Sequence, residues 1–137
     1  MREILFSGKS KDNDVWVEGY YCGKVNKTIF SPAEDSAQIV DKDLYWHEVI
    51  PETVGQYTGL QDKNGKMIFE GDIVKCISKF DAKDMVVIFE TAEFHLVNCQ
   101  RYKNYTECCG YRYFGTLETE VIGNIHDNPE LLKGEGE

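Results

Sequence analysis

The chain has 137 residues, 24 acidic against 15 basic side chains, a net charge of −9, and 42% apolar residues. That is enough for one domain with a packed core, and no run approaches the roughly 20 apolar residues that a bilayer-spanning helix needs. The start, Met1-Arg2-Glu3-Ile4-Leu5-Phe6, turns polar at once, which implies no signal peptide and a cytoplasmic location. The charge is uneven, with six acidic residues to one basic over 31–58 and ten to four over 84–137. No basic stripe of the kind that displaces counterions from phosphate is present, so direct nucleic-acid binding is not expected. Five cysteines, an odd number with only Cys108 and Cys109 adjacent, make a poor disulfide framework and fit a reducing compartment.

Taken in order, Ile4-Leu5-Phe6 predicts a short strand. Polar Lys9–Asp14 predicts a loop, and Val15–Cys22 a strand bulged at Gly19. Thr28–Phe30 follows, and Ser31-Pro32-Ala33-Glu34 has the pattern of a capping box with too short an apolar run behind it for a helix. Gln38–Val40 and Leu44–Ile50 predict strands, ended by Pro51. The stretch Val49–Lys75 is dense with turn chemistry, and Asn64-Gly65 between Tyr57–Leu60 and Lys66–Phe69 is the strongest hairpin signal in the chain. Ile73–Lys79, Met85–Phe89, Glu93–Cys99 and Glu118–Ile125 predict further strands, and Asn128-Pro129-Glu130 opens one short C-terminal helix. Many short strands with glycine turns imply an all-β fold. The expected organisation is an N-terminal β unit over 1–48, a barrel-like unit over 49–132, and a frayed tail over 133–137.

Three sets of residues carry the resemblance of this chain to a known family. They are Pro51–Leu60, Asp62-Lys63-Asn64-Gly65-Lys66 with Phe69-Glu70-Gly71-Asp72-Ile73-Val74, and the two ends, Arg2-Glu3-Ile4-Leu5-Phe6 with Trp16-Val17-Glu18-Gly19-Tyr20, and Val121–Leu132. In these the sequence resembles the YopX-like proteins of phages and prophages, nearly end to end. The resemblance implies a β-rich domain with an SH3- or PRC-barrel-like C-terminal half, and it brings no agreed activity and no catalytic residues. Stretches 31–42 and 102–113 match no family pattern. The shared Gly55, Gly59, Gly65 and Gly71 fall where turns need positive φ or close backbone approach. Asp72, Asn124 and Asn128 are placed to brace turns through nearby backbone N–H groups.

Chemistry is thinly signalled. Cys108 and Cys109 with Cys99, Cys76 or His95 lack zinc-finger spacing, and Cys22, Cys76 and Cys99 read as small core side chains, so no metal or other cofactor is expected. His47, His95 and His126 each stand alone, and Gly8-Lys9-Ser10 is not a phosphate loop, so the protein is expected not to be an enzyme. Tyrosines are abundant, and Tyr102, Tyr105, Tyr111, Tyr113 and Phe114 lie in a polar, glycine-broken stretch that suits an interface. The leading expectation is a non-catalytic protein-binding or assembly module. Its surface would combine that aromatic loop with acidic segment 31–48, and exposed strand edges would favour a homo-oligomer. The alternative is an acidic effector that imitates nucleic acid and blocks a host DNA-binding enzyme, which predicts carboxylates in a regular row.

Overall fold

The computed structural model describes residues 4–25, 36–77, 82–90, 93–99, 102 and 118–132. The Thr28–Phe30 segment and the 31–34 capping pattern lie outside them. The chain is all-β, as expected, and divides into two compact units, residues 1–57 and 58–137.

In the first unit, β1 (Phe6–Lys9), β2 (Trp16–Val25), β3 (Ser36–Val40) and β4 (Trp46–Val49) follow one another as antiparallel neighbours. The start of β5 (Gly55–Gln61) pairs with the other side of β1, giving the order β4-β3-β2-β1-β5. The sheet curls until β4 reaches the chain leaving β1. Ser10 bridges Val49, Lys11 N donates to Glu48 O at 3.0 Å, and Ile50 N donates to Lys9 O at 2.8 Å. A 3-10 turn at Pro51–Thr53 secures this seam, because Thr53 Oγ1 accepts from Lys9 N at 2.9 Å and donates to Ile50 O. Inside lie Ala37, Ile39 and Val49, with Phe6, Val17, Tyr21 and Val54 against them. The predicted bulge in β2 is present but falls between Tyr21 and Lys24 rather than at Gly19.

In the second unit, the remainder of β5 turns through Asp62–Lys66 into β6 (Met67–Phe69). Four antiparallel strands then form a sheet in the order β10-β7-β8-β9. They are β7 (Asp72–Ile77), β8 (Ala82–Glu90), β9 (Glu93–Asn98) and β10 (Glu118–Asn124). This sheet buries both faces. Val74, Cys76, Val87, Phe94 and Leu96 pack with Ile68 on one side, while Ile73, Val86 and Cys99 pack on the other beneath Ile125, Leu131 and Leu132. Two-sided burial explains why β7 reads as a mixed rather than an alternating strand. Among the described residues this sheet is open, with β10 and β9 at its edges, and is not closed into a barrel. The predicted terminal helix is a single 3-10 turn, Pro129–Leu132. Asn124 and Asn128 brace its approach as expected: Asn124 Oδ1 accepts from His126 N and Asp127 N, and Asn128 Oδ1 accepts from Asn124 N.

Candidate interaction surface

Among the described residues, the most exposed large apolar side chains gather on the outer face of the first unit. Strand alternation explains the gathering. On β2, Val17 and Tyr21 point into the core, which sends Trp16, Glu18 and Tyr20 outward. Tyr20 pairs with Val40 and Val40 with Trp46, so these three form a row across β2, β3 and β4. Tyr20 is 62% exposed and Trp46 63%. The β3–β4 turn adds Leu44 at 76% and Tyr45 at 68%, values high enough to leave these side chains essentially unpacked. Single exposed apolar residues need no explanation; a contiguous set with aromatics marks a contact surface.

The turn itself is tightly built. Asp41 N donates to Tyr45 O and Leu44 N to Asp41 O, both at 3.0 Å. The Asp41 side chain then collects the loop: Oδ1 accepts from Asp43 N at 2.9 Å and Tyr45 N at 3.0 Å, and Oδ2 lies 2.8 Å from His47 Nε2. The His47 hydrogen bond, helped by those two backbone N–H groups and by the charge attraction of His47, outweighs partial burial and holds the Asp41 carboxyl below its ordinary value. This side-chain capture of backbone donors is why the predicted strand Leu44–Ile50 begins only at Trp46. It also puts Leu44 in the left-handed region, with φ 68°, where a branched side chain costs about 1–2 kcal/mol.

The turn and β2 together enclose a groove of about 580 Å³, lined by Leu5, Trp16, Glu18, Tyr20, Asp43 and Leu44, with Gly19, Asp41 and Lys42 completing it. Gly19 is what allows the turn to lie so close. A Cβ there would stand 2.1 Å from Val40 O, a backbone atom that cannot swing aside.

Of the side chains expected to form the interface, Tyr105, Tyr111, Tyr113 and Phe114 lie outside the described residues. Tyr102 is half-buried, packed with the Ile73, Val86 and Cys99 face of the second unit. Acidic segment 31–48 is described from Ser36 onward and forms β3, the turn and the start of β4. In the sequence Trp16 and Tyr20 stand out only through the family resemblance, and Tyr45 and Trp46 only as part of the strand expected over Leu44–Ile50. Recognising Leu44–Trp46 as surface required seeing that Asp41, with Tyr45, closes a turn.

Other candidate chemistry stays dispersed. Among the described residues no three of His, Cys, Asp and Glu converge as metal ligands, and no helix is long and apolar enough to cross a membrane. Cys76 and Cys99 are buried as expected, whereas Cys22, expected in the core, is exposed because strand alternation sets it on the face opposite Tyr21. Burial, with a contribution from Asp84, pushes the Cys99 thiol up to about 11, so it is not a thiolate nucleophile at neutral pH. A second groove, of about 590 Å³, lies over the second unit between Lys75, Lys83, Asp84, Cys99 and Glu130, and its wall carries charges of both signs.

The fold is that of a small all-β protein built from two compact units. The sequence profile of the family described as YopX protein matches residues 5–133, and the chain belongs to that family. It is also similar in fold to the crystal structure of protein EF1440 from Enterococcus faecalis. That match has 21% identity and a TM-score of 0.54, and covers 97% of this chain and 100% of that one. No curated protein matches.

Proposed function

We propose that this YopX-family protein is a non-catalytic protein-binding module, encoded by a mobile element of bacteria and acting in the host cytoplasm. Its docking face is the outer surface of the first unit. The observation that carries this reading is the row Tyr20, Val40, Trp46, with exposed aromatic side chains on either side of half-buried Val40, extended by a leucine held at the turn tip in a strained backbone conformation. Strain kept at an exposed position gives the fold nothing, and such outliers concentrate where a surface is used. The nucleic-acid-mimic reading gains less support. Its carboxylates should stand free in a row, whereas Glu48 pairs with Lys11 at 3.0 Å, Asp41 with His47 at 2.8 Å, and Glu120 with Lys63 at 3.5 Å. Self-association through strand edges fits the same module, since β9 and β10 are edges of the second sheet among the described residues.

The test is affinity capture from infected or lysogenic cells with the wild-type protein and with Leu44→Asp and Trp46→Asp, alongside native mass measurement. Both substituted side chains are exposed, so the variants should melt as the wild type does. The expected result is a specific partner retained by the wild type and lost by both variants. A strict monomer that captures nothing, or a partner retained equally by all three proteins, defeats the reading of this face.

A further inference from the structure

The groove beside the turn has a chemistry that selects its occupant. Trp16, Glu18 and Tyr20 stand at alternate positions of β2, so a carboxylate is set between two aromatic side chains on one face. The facing turn contributes Asp41 and Asp43 across the groove, against one cation, Lys42. Asp41 is committed to its own turn and to His47. Among the described residues Glu18 and Asp43 have no ion-pair partner, and both are exposed. Leu5 and Leu44 supply the apolar remainder of the lining.

Aromatic faces flanked by unpaired carboxylates attract one kind of side chain above others. A guanidinium stacks on an aromatic ring through its planar, weakly hydrated face while its edge donates to carboxylate oxygens. Its three-carbon stem is apolar enough to lie along leucine. An anionic segment would meet the net negative lining, and a purely aliphatic one would leave Glu18 and Asp43 desolvated without compensation.

We propose that this groove binds an arginine side chain on an exposed segment of a partner protein, with Trp16 and Tyr20 stacking the guanidinium and Glu18 and Asp43 accepting its hydrogen bonds. The inference rests on the docking face proposed above and names the chemistry of what docks there.

The test uses the full chain, 15N-labelled, titrated at low salt with three capped probes: N-acetyl-arginine methylamide, its citrulline analogue and its norleucine analogue. Citrulline keeps the shape of arginine without the charge. The expected result is saturable movement of the Trp16 indole and Gly19 amide signals with the arginine probe. Binding should be at least about fivefold tighter than for citrulline, as charge-assisted bonds require, and about threefold weaker on raising salt from 50 to 300 mM. Glu18→Gln and Asp43→Asn should each reduce the preference for arginine over citrulline while leaving the melting temperature unchanged. Equal movement by citrulline or norleucine overturns the arginine assignment while leaving the docking face standing. Failure of all three probes to move Trp16 or Gly19 also overturns it. Failure of the docking face itself shows separately, as capture unaffected by Leu44→Asp and Trp46→Asp.

Discussion

Two turns of this protein share one construction, and of the three positions at which their residues differ, the fourth bears on the backbone. Asp41-Lys42-Asp43-Leu44-Tyr45 joins β3 to β4 in the first unit, and Asp62-Lys63-Asn64-Gly65-Lys66 joins β5 to β6 in the second. In the second turn Asp62 N donates to Lys66 O at 2.8 Å and Gly65 N to Asp62 O at 3.0 Å. Asp62 Oδ1 accepts from Asn64 N and Lys66 N, both at 2.9 Å. Each of these bonds has its counterpart at Asp41. The fourth residue of each turn is left-handed, with φ 82° at Gly65 and 68° at Leu44. Glycine occupies that region at no steric cost, so Gly65 is the residue the turn asks for and Leu44 is not. The second turn therefore carries the residue its backbone favours, and the first departs from that optimum with an apolar side chain at 76% exposure.

The two aspartates differ as well. Asp62 Oδ2 accepts from Val121 N at 2.9 Å, tying the turn to β10 across 59 positions of sequence, and the residue is buried. Asp62→Ala should give the largest loss of stability of any single change at either turn. It leaves three backbone N–H groups without their charged acceptor and costs about 3 kcal/mol by urea denaturation. Asp41→Ala, at an exposed turn, should cost clearly less; equal losses would break the contrast. Acid should act in the same sense. Burial raises the Asp62 carboxyl, but the N–H groups of Val121, Lys66 and Asn64 outweigh it and hold the group below its ordinary value. A carboxyl with a lowered folded-state pKa stabilises fully above the ordinary carboxylate range and loses that contribution as the pH falls through it. The stability gap between wild type and Asp62→Ala should therefore narrow between about pH 5 and pH 2. A gap independent of pH would mean that the charge on Asp62 does not matter.

Converting the second turn to the first is the next test in size. A Cβ at Gly65 would meet nothing within 4 Å, so Gly65→Leu brings no clash and its cost is purely conformational. We expect a loss of about 1–2 kcal/mol in chemical denaturation, with β5–β6 pairing retained in amide exchange. A neutral outcome would mean that this turn tolerates leucine freely, and the strain argument for Leu44 would fall with it.

Much of this was readable in the sequence. Asn64-Gly65 announced its hairpin, and Asp72 braces its neighbour as expected, Oδ2 accepting from Phe69 N at 2.9 Å. Strand positions with β-branched residues, such as Met85–Phe89 and Glu93–Cys99, were found to within a few residues. What stayed hidden had non-local or unsigned causes. Asp41-Lys42-Asp43-Leu44-Tyr45 lacks the glycine that flags such a turn, so Leu44 and Tyr45 read as strand. Gly19 read as a bulge, when its role is to let the Val40 backbone approach from the next strand. The proposed docking face depends on which residues of β2 and β4 point outward together. That follows from the pairing Tyr20–Val40–Trp46, which no local pattern encodes.

The smallest expected effect decides the meaning of the comparison. Leu44→Gly converts the first turn to the second and relieves about 1–2 kcal/mol of backbone strain. It also returns about 0.4–1 kcal/mol of conformational entropy to the unfolded chain. The balance is a modest gain, about 0.5–1 kcal/mol, visible as a higher denaturation midpoint with an unchanged slope. If leucine is kept there for contact, the same substitution must weaken partner capture while it stabilises the fold. Opposite signs in the two measurements are the signature of a residue chosen against stability. A loss of stability would show instead that Leu44 packs within the fold, and the strained turn would then need no partner to explain it.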